Sequence, residues 1–325
     1  PRPLHPTRPA RESPPFPPPP PPSPARLPQP PATMPHALLL FLALLSSAST
    51  LSVEPLVRSL SRVASAAGSV VVVKYGGHAM SNEALAHSFA ADIALLQSVG
   101  LKPVVVHGGG PQIGAMLQKL EIPSNFVGGL RVTDAATMEV AEMVLAGSIN
   151  KKIAAAISKA GGRALGLTGR DDRIVTAVQR DAELGLVGEP TDVRPDVLWA
   201  LLDQGITPVL APIGASADGE AFNINADTMA GAIAGALEAT QLLLLTDVAG
   251  VLDGEGKLMP KLTLAQCHEL IDSGVASGGM IPKLQTAMDA VERGVGHAVV
   301  MDGRVPHCTL VHLFGEDAVG TDISR

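Results

Sequence analysis

The groups most able to do chemistry lie in two short segments, Lys74-Tyr75-Gly76-Gly77 and His107-Gly108-Gly109-Gly110. Each directly follows a run of valines, Val70 to Val73 and Val104 to Val106. Glycine lets the main chain approach a ligand closely and adopt positive φ, so two N–H-rich turns side by side suit an oxyanion such as phosphate or carboxylate. Lys74 adds a positive charge. Either glycine segment alone reads equally well as a turn that uses glycine for its geometry. Together, with a lysine, they favour an anion site. A second lysine stands in Gly278-Gly279-Met280-Ile281-Pro282-Lys283, in the first turn of a helix expected to run to Arg293. A cation there opposes the helix dipole. Either Lys283 is exposed and tolerates a cost of roughly 0.3–1 kcal/mol, or it faces an anion bound at a glycine-rich helix start. Asp227, in Asn223-Ile224-Asn225-Ala226-Asp227, is favoured in a first turn by the dipole alone and by itself reads as a structural cap.

The elements that must position these residues follow from hydrophobic spacing. Valine runs without polar alternation read as strands buried on both faces, and ligands of open α/β sheets sit outside the carboxyl ends of such strands. Ser81 to Val99 reads as a helix with Leu85, Phe89, Ile93 and Leu96 at helical spacing and Gly100 as its stop. A further helix starts at Pro111, and another spans Thr133 to Ala146 with Thr133 as N-cap. Helical pattern continues over Ser148 to Ala160. Arg163 to Leu167, Ile174 to Gln179, Ile206 to Leu210 and Leu242 to Leu245 read as strands, and an Ala/Gly-rich helix runs from the Asn223–Asp227 segment to Leu237. Alternation of strand and helix predicts an α/β fold built from βαβ units.

Composition sets the bounds. The chain has 325 residues, 46% hydrophobic and 17% charged, enough to bury a substantial core. A net charge of −7 and a pI near 5.7 argue against nucleic acid as a partner. Trp199 and Tyr75 are the single residues of their types, so stacking platforms for bases are missing as well. Cys267 and Cys308 form no CxxC pair and no ligand cluster, and read as buried thiols. Residues 1–33 are proline-dominated and read as extended, disordered or untranslated sequence ahead of a start at Met34. Ala37 to Leu45 is too short to span a bilayer but suits a signal-peptide core, with Ser46-Ser47-Ala48 as a cleavage site. Leu51 to Ser69, Ser/Ala-rich with Arg58 and Arg62, reads as a transit segment. Residues 34–69 thus form a targeting region, with a plastid as destination and a mitochondrion as the alternative, and the mature form has no membrane segment. The competing reading makes Glu54 to Ala67 an amphipathic helix with Leu56, Leu60 and Val63 on one face.

Five segments in order then carry a resemblance. Lys74-Tyr75-Gly76-Gly77-His78-Ala79-Met80, His107 to Ile113, Gly129-Leu130-Arg131-Val132-Thr133, Asn223 to Asp227 and Gly279 to Lys283 resemble the motifs of the acetylglutamate branch of the amino-acid kinase family. The resemblance spans about Val70 to Ile323. It implies a three-layer αβα sandwich around a mainly parallel open sheet, with an acceptor lobe over about 70–210 and a nucleotide lobe over about 211–325. It also implies transfer of the γ-phosphoryl group of ATP, with Mg²⁺ held mainly by the nucleotide phosphates, to the side-chain carboxylate of N-acetyl-L-glutamate in arginine biosynthesis. A carboxylate acceptor is already ionised at neutral pH, so this chemistry needs positioning and charge neutralisation rather than a general base.

Carried over position by position, Lys74 and Lys283 stabilise the transferring phosphoryl group and Asp227 orients them. Gly76 and Gly77 donate N–H groups to the phosphates, Gly109 and Gly110 hold the acceptor, Arg131 grips its α-carboxylate and Asn223 contacts it. Asp247, Val248, Ala249, Gly250, Val251 and Leu252 resemble the segment that holds the adenine nucleotide. No protein ligand set for a metal is implied, and His78 and His107 read as packing or hydrogen-bonding residues. For regulation, the resemblance implies a homodimer, or a hexamer built through an N-terminal helix, with arginine as effector and, in plastids, the PII signalling protein as a partner. The aromatic residue expected in that helix is missing, and His312 stands where the effector segment Pro306 to Phe314 usually carries an acid, which puts arginine feedback in doubt. The rival functions are an amino-acid kinase with another acceptor and a catalytically silent regulatory subunit.

Overall fold

The computed structural model describes residues 53–80, 82–315 and 319–325, with the side chains of His78 and Ala79 outside that set. The proline-rich stretch and the signal-like segment read from the sequence lie outside the described residues. Residues Glu54–Ala66, for which transit segment and helix were both open, are helical (α1). Its Leu56 and Leu60 are exposed, and Ser59 Oγ donates to the carbonyl of Phe314 at 2.9 Å.

Eight strands form the central sheet. They are β1 (Val70–Tyr75), β2 (Lys102–His107), β5 (Ala164–Thr168), β8 (Thr207–Ala211), β11 (Gln241–Thr246), β12 (Lys261–Thr263), β13 (His297–Asp302) and β14 (Thr321–Ser324), in the order β12-β14-β13-β11-β1-β2-β8-β5. All neighbours run parallel except β13 and β14. Between them come the helices α2 (Glu83–Ser98), α3 (Gly110–Lys119), α4 (Ala135–Glu142), α5 (Asn150–Lys159), α6 (Asp196–Asp203), α7 (Ala226–Ala236), α8 (Leu264–Asp272), α9 (Met280–Glu292) and α10 (Cys308–Phe314). The strands β3 (Phe126–Val127) and β4 (Leu130–Arg131) form a small hairpin. A π-helical segment, Met143–Ile149, joins α4 to α5 without a break.

The valine runs are apolar throughout because helices cover both faces of the sheet. Val70 and Val72 pack with Met229 and Ile233 of α7 and Leu284 and Met288 of α9. Val71, Val73 and Tyr75 pack on the other face with Phe89 and Ile93 of α2 and Leu145, Ile149 and Ile153. The four valines are at most 5% exposed, and burying each stabilises the fold by about 1.5–3 kcal/mol. Cys267 and Cys308 are free, buried thiols in these cores.

Two sequence expectations need correction. The helix after residue 132 is capped by Asp134, whose side chain accepts from the Thr137 N–H, whereas the Thr133 hydroxyl donates to the Arg131 carbonyl. The acid can accept and sits one residue later, where the chain turns. Beside the sheet, β6 (Val175–Gln179), β7 (Val187–Val193), β9 (Ile213–Ala215) and β10 (Ala221–Ile224) close into a small barrel. Of these strands the sequence pattern pointed only to β6, because β9 and β10 have three and four residues and the longer β7 carries Gly188 and Pro190.

Candidate active site

Register decides where the first lysine goes. Side chains alternate along β1, so Lys74 follows Val70 and Val72 onto the face covered by α7 and α9. The N-terminal end of α7 presents Asp227 there, and Lys283 comes from one turn inside α9. Lys74 Nζ lies 3.0 Å from Asp227 Oδ1, and Lys283 Nζ donates to Oδ2 at 2.9 Å. All three side chains are less than 20% exposed. Burial alone raises the carboxyl's pKa, but the two ammonium groups outweigh it and hold Asp227 down to about 2. It is therefore a fixed anion, unsuited to act as a base and suited to hold two cations. Asp227 is not the helix cap: Asn225 fills that role, its side chain accepting from the N–H groups of Asp227 and Thr228.

Parallel pairing of β1 and β2 sets Tyr75 opposite His107, so both glycine segments emerge at the same edge of the sheet. Gly77 has φ +68°, a left-handed backbone that a side chain would strain. A Cβ on Gly109 would lie 2.5 Å from Ile149 Cδ1 and 2.6 Å from Leu145 Cδ2 of the π-helical segment, so those side-chain ends would have to give way. Next to Gly108, Gly109 and Gly110 opens a cleft of about 210 Å³, also lined by Arg131, Asn223, Ile113 and Leu145. Arg131 is 9% exposed, donates to the Gly110 carbonyl at 2.8 Å and to Ser124 Oγ, and stacks 4.6 Å over the Phe126 ring. Held this way, its planar guanidinium is fixed in the wall of the cleft. Asn223 donates to Thr133 Oγ1 at 3.2 Å, which in turn is tied to the Arg131 carbonyl.

Residues 247–252 leave the end of β11, the strand beside β1. Asp247, Val248, Ala249 and Leu252 are exposed there. Gly250 and Val251 are instead buried against Thr321 at the start of β14, with the Val251 N–H donating to Thr321 Oγ1 at 2.8 Å. The structure thus places Lys74, Asp227 and Lys283 in one cluster, and Gly109, Gly110, Arg131 and Asn223 around one cleft. Sequence reasoning missed Ser124 and Thr133 as braces and Asn150 altogether. Asn150 carried a signal: it takes the first place in a stripe continued by Ile153, Ala154 and Ile157, where an apolar residue is expected.

The amino acid kinase family profile matches residues 69–302. The chain belongs to the amino acid kinase family. Among curated relatives, the acetylglutamate kinase of Acidiphilium cryptum is 55% identical over 268 residues, covering 78% of this chain and 90% of that protein. The acetylglutamate kinase of Rhodospirillum centenum is 54% identical over 272 residues, covering 80% and 89%. Among solved structures, N-acetylglutamate synthase from Neisseria gonorrhoeae, complexed with coenzyme A and N-acetyl-glutamate, superposes with a TM-score of 0.75 at 23% identity, covering 85% of this chain and 64% of that one. Carbamate kinase from Giardia lamblia bound to AMP-PNP gives a TM-score of 0.58 at 18% identity, covering 80% and 99%. At these identities the two structures bear on the fold alone, and that fold is the three-layer α/β arrangement expected from the motifs.

Proposed function

We propose that this protein transfers the γ-phosphoryl group of ATP to the side-chain carboxylate of N-acetyl-L-glutamate, giving N-acetyl-L-glutamyl 5-phosphate in arginine biosynthesis. The observation that carries this reading is the Lys74–Asp227–Lys283 cluster beside a cleft bounded by glycine amides and Arg131, in a chain more than half identical to acetylglutamate kinases over most of its length. The acceptor is already an anion, so the barrier lies in bringing like charges together in line. In this reading Lys74 and Lys283 neutralise the transferring group from the acceptor and nucleotide sides, and Asp227 keeps both ammonium groups aimed. Gly76 and Gly77 donate N–H groups to the phosphates, and Gly109 and Gly110 to the acceptor. Arg131 takes the α-carboxylate, Asn223 contacts the substrate, and residues 247–252 border the adenine nucleotide. Among the described residues no group of three or more His, Cys, Asp or Glu side chains is placed to hold a metal ion. Mg²⁺ in this reading arrives with the nucleotide and is held mainly by its phosphates, where it offsets their charge.

Further parts of the reading concern assembly and control. β5 ends the sheet with Leu165 44% exposed on an open edge, which supports a homodimer paired through that strand; the exposed face of α1 supports a larger ring. His312 Nε2 donates to Gln241 Oε1 at 3.1 Å, and burial lowers the ring's pKa, so the effector segment offers a neutral ring in place of an acid. Arginine is accordingly read as a weakened effector. Residues 34–69 are read as a plastid-targeting region whose last part, α1, is kept as the N-terminal helix of the mature protein, and PII as the plastid partner. The test is hydroxamate trapping of the acyl phosphate formed by the full chain from MgATP and N-acetyl-L-glutamate, against glutamate, aspartate and carbamate. Product with the acetylated acceptor alone supports the assignment; no product with any acceptor refutes it.

A further inference from the structure

His107 and Asn150 form a buried polar pair that the phosphoryl-transfer reading does not use. His107 ends β2 with no exposed surface, and Asn150 is equally buried at the start of α5. An amide and an imidazole in an apolar core are costly unless paired, so each contact made here is informative. His107 Nδ1 lies 2.9 Å from the Gly108 carbonyl oxygen, and Nε2 lies 3.1 Å from Asn150 Nδ2. Burial is the main reason that the ring's pKa falls to about 4, which leaves one donor and one acceptor. A carbonyl only accepts, so the proton sits on Nδ1 and Nε2 accepts from Asn150.

Asn150 is itself pinned. Its Nδ2 faces the Val209 carbonyl at 2.8 Å and the Leu167 carbonyl at 3.2 Å, and its Oδ1 faces Lys151 Nζ at 3.3 Å. One amide, its two N–H groups shared among three acceptors, therefore ties the middle of β8 and the end of β5 to the ring on β2. Gly166 carries the mark of this arrangement: a Cβ at that position would run into Asn150 Oδ1. The π-helical segment before Asn150 serves the same loop, since Leu145 and Ile149 are the side chains against Gly109.

We infer that Asn150, acting through His107, is a positioning residue that aims the Gly109 N–H into the acceptor cleft. In a planar trans peptide the carbonyl of Gly108 and the N–H of Gly109 point in opposite directions. Holding that carbonyl against the buried imidazole turns the Gly109 N–H away from the core, toward the cleft that Gly108 and Gly109 line. Among the described residues no backbone acceptor takes this N–H. The inference rests on the acceptor role proposed for Gly109, and removing one such pre-aimed donor typically costs on the order of 10²-fold or more in rate.

The first measurement is the ¹⁵N spectrum of the His107 ring in the full chain at neutral pH, with His107→Asn used to assign the signal. Protonation on Nδ1 is expected, and a ring protonated on Nε2 overturns the inference whether or not the enzyme is active. Kinetics give the second. Asn150→Leu and His107→Leu should each lower kcat/KM for N-acetyl-L-glutamate by roughly 10-fold or more while KM for MgATP stays put. His107→Asn, which keeps a donor near the Nδ1 position, should recover most of the loss seen in His107→Leu. Variants that melt lower yet keep wild-type kcat and both KM values would make the pair merely structural and sink the inference. A wild-type protein that makes no acyl phosphate would instead refute the functional reading, with the tautomer result still standing.

Discussion

Replacing Asp227 by Asn keeps the side chain's shape and removes the charge that holds two lysines. At an effective dielectric constant of about 20, each ion pair near 3 Å is worth about 5 kcal/mol before the cost of desolvation is subtracted. What survives is read from the carboxyl itself: a pKa held from 3.8 down to about 2 by Lys74 and Lys283 against burial corresponds to about 2 kcal/mol of stability. Because the folded-state pKa is depressed, this contribution is complete above the unfolded value near 3.8 and is lost as the pH falls through about 2. Urea unfolding should therefore show Asp227→Asn less stable than wild type by about 2 kcal/mol from pH 5 to 8, with the gap closing only below about pH 4. Kinetics should separate aim from attraction. Without its anchor the pair of ammonium groups loses its geometry, and kcat should fall on the order of 10²-fold or more. MgATP affinity should hold or rise, since a negative charge has left the neighbourhood of the phosphates. A variant as stable as wild type at pH 7, or one whose MgATP affinity falls in step with kcat, would refute the reasoning.

Other outcomes follow from the same geometry. Arg131→Lys loses the planar fork, the bridge to Gly110 and Ser124 and the stacking on Phe126, so KM for N-acetyl-L-glutamate should rise by roughly 10-fold or more with KM for MgATP unchanged in steady-state assays. Gly185→Ala drives a Cβ into the Thr133 carbonyl at a residue with φ +67°, and thermal melting should show a loss of about 1–3 kcal/mol. Arginine should inhibit weakly or not at all, and His312→Glu should strengthen inhibition by restoring a carboxylate for the guanidinium; equal arginine sensitivity of both forms would remove His312 from the effector reading. Leu165→Asp on the open edge of β5 should shift the chain toward monomer in sedimentation, whereas an unchanged mass places the interface elsewhere.

By itself the sequence determined the parts of this protein that are local or repeat with a short period. All-apolar valine runs read as strands covered on both faces, and the paired glycine segments after them, one beside a lysine, favour amide-rich turns. The 3.6-residue spacing located most of the helices, and the ordered motifs pointed to the fold. Residue by residue the sequence was silent where a meaning depends on a distant partner, and the pairing of Asp227 with Lys74 and Lys283 entered only through the resemblance of the ordered motifs. Asp227 read as a cap because a helix start favours an acid anyway; its bond to lysines on β1 and α9 arises because strand alternation sends Lys74 to the face that α7 and α9 cover. Lys283 read as a cation set against a dipole, and its counter-charge comes from 56 residues away. Asn150 drew no reading at all, because its role appears only once β5 and β8 supply its carbonyls. Most of the small barrel escaped because β9 and β10 are only three and four residues long, and β7, though seven long, carries Gly188 and Pro190 and shows no period-2 burial. Backbone preference and burial act between near neighbours and are written in the chain, whereas electrostatic pairing acts between side chains that only the packed sheet brings within 3 Å.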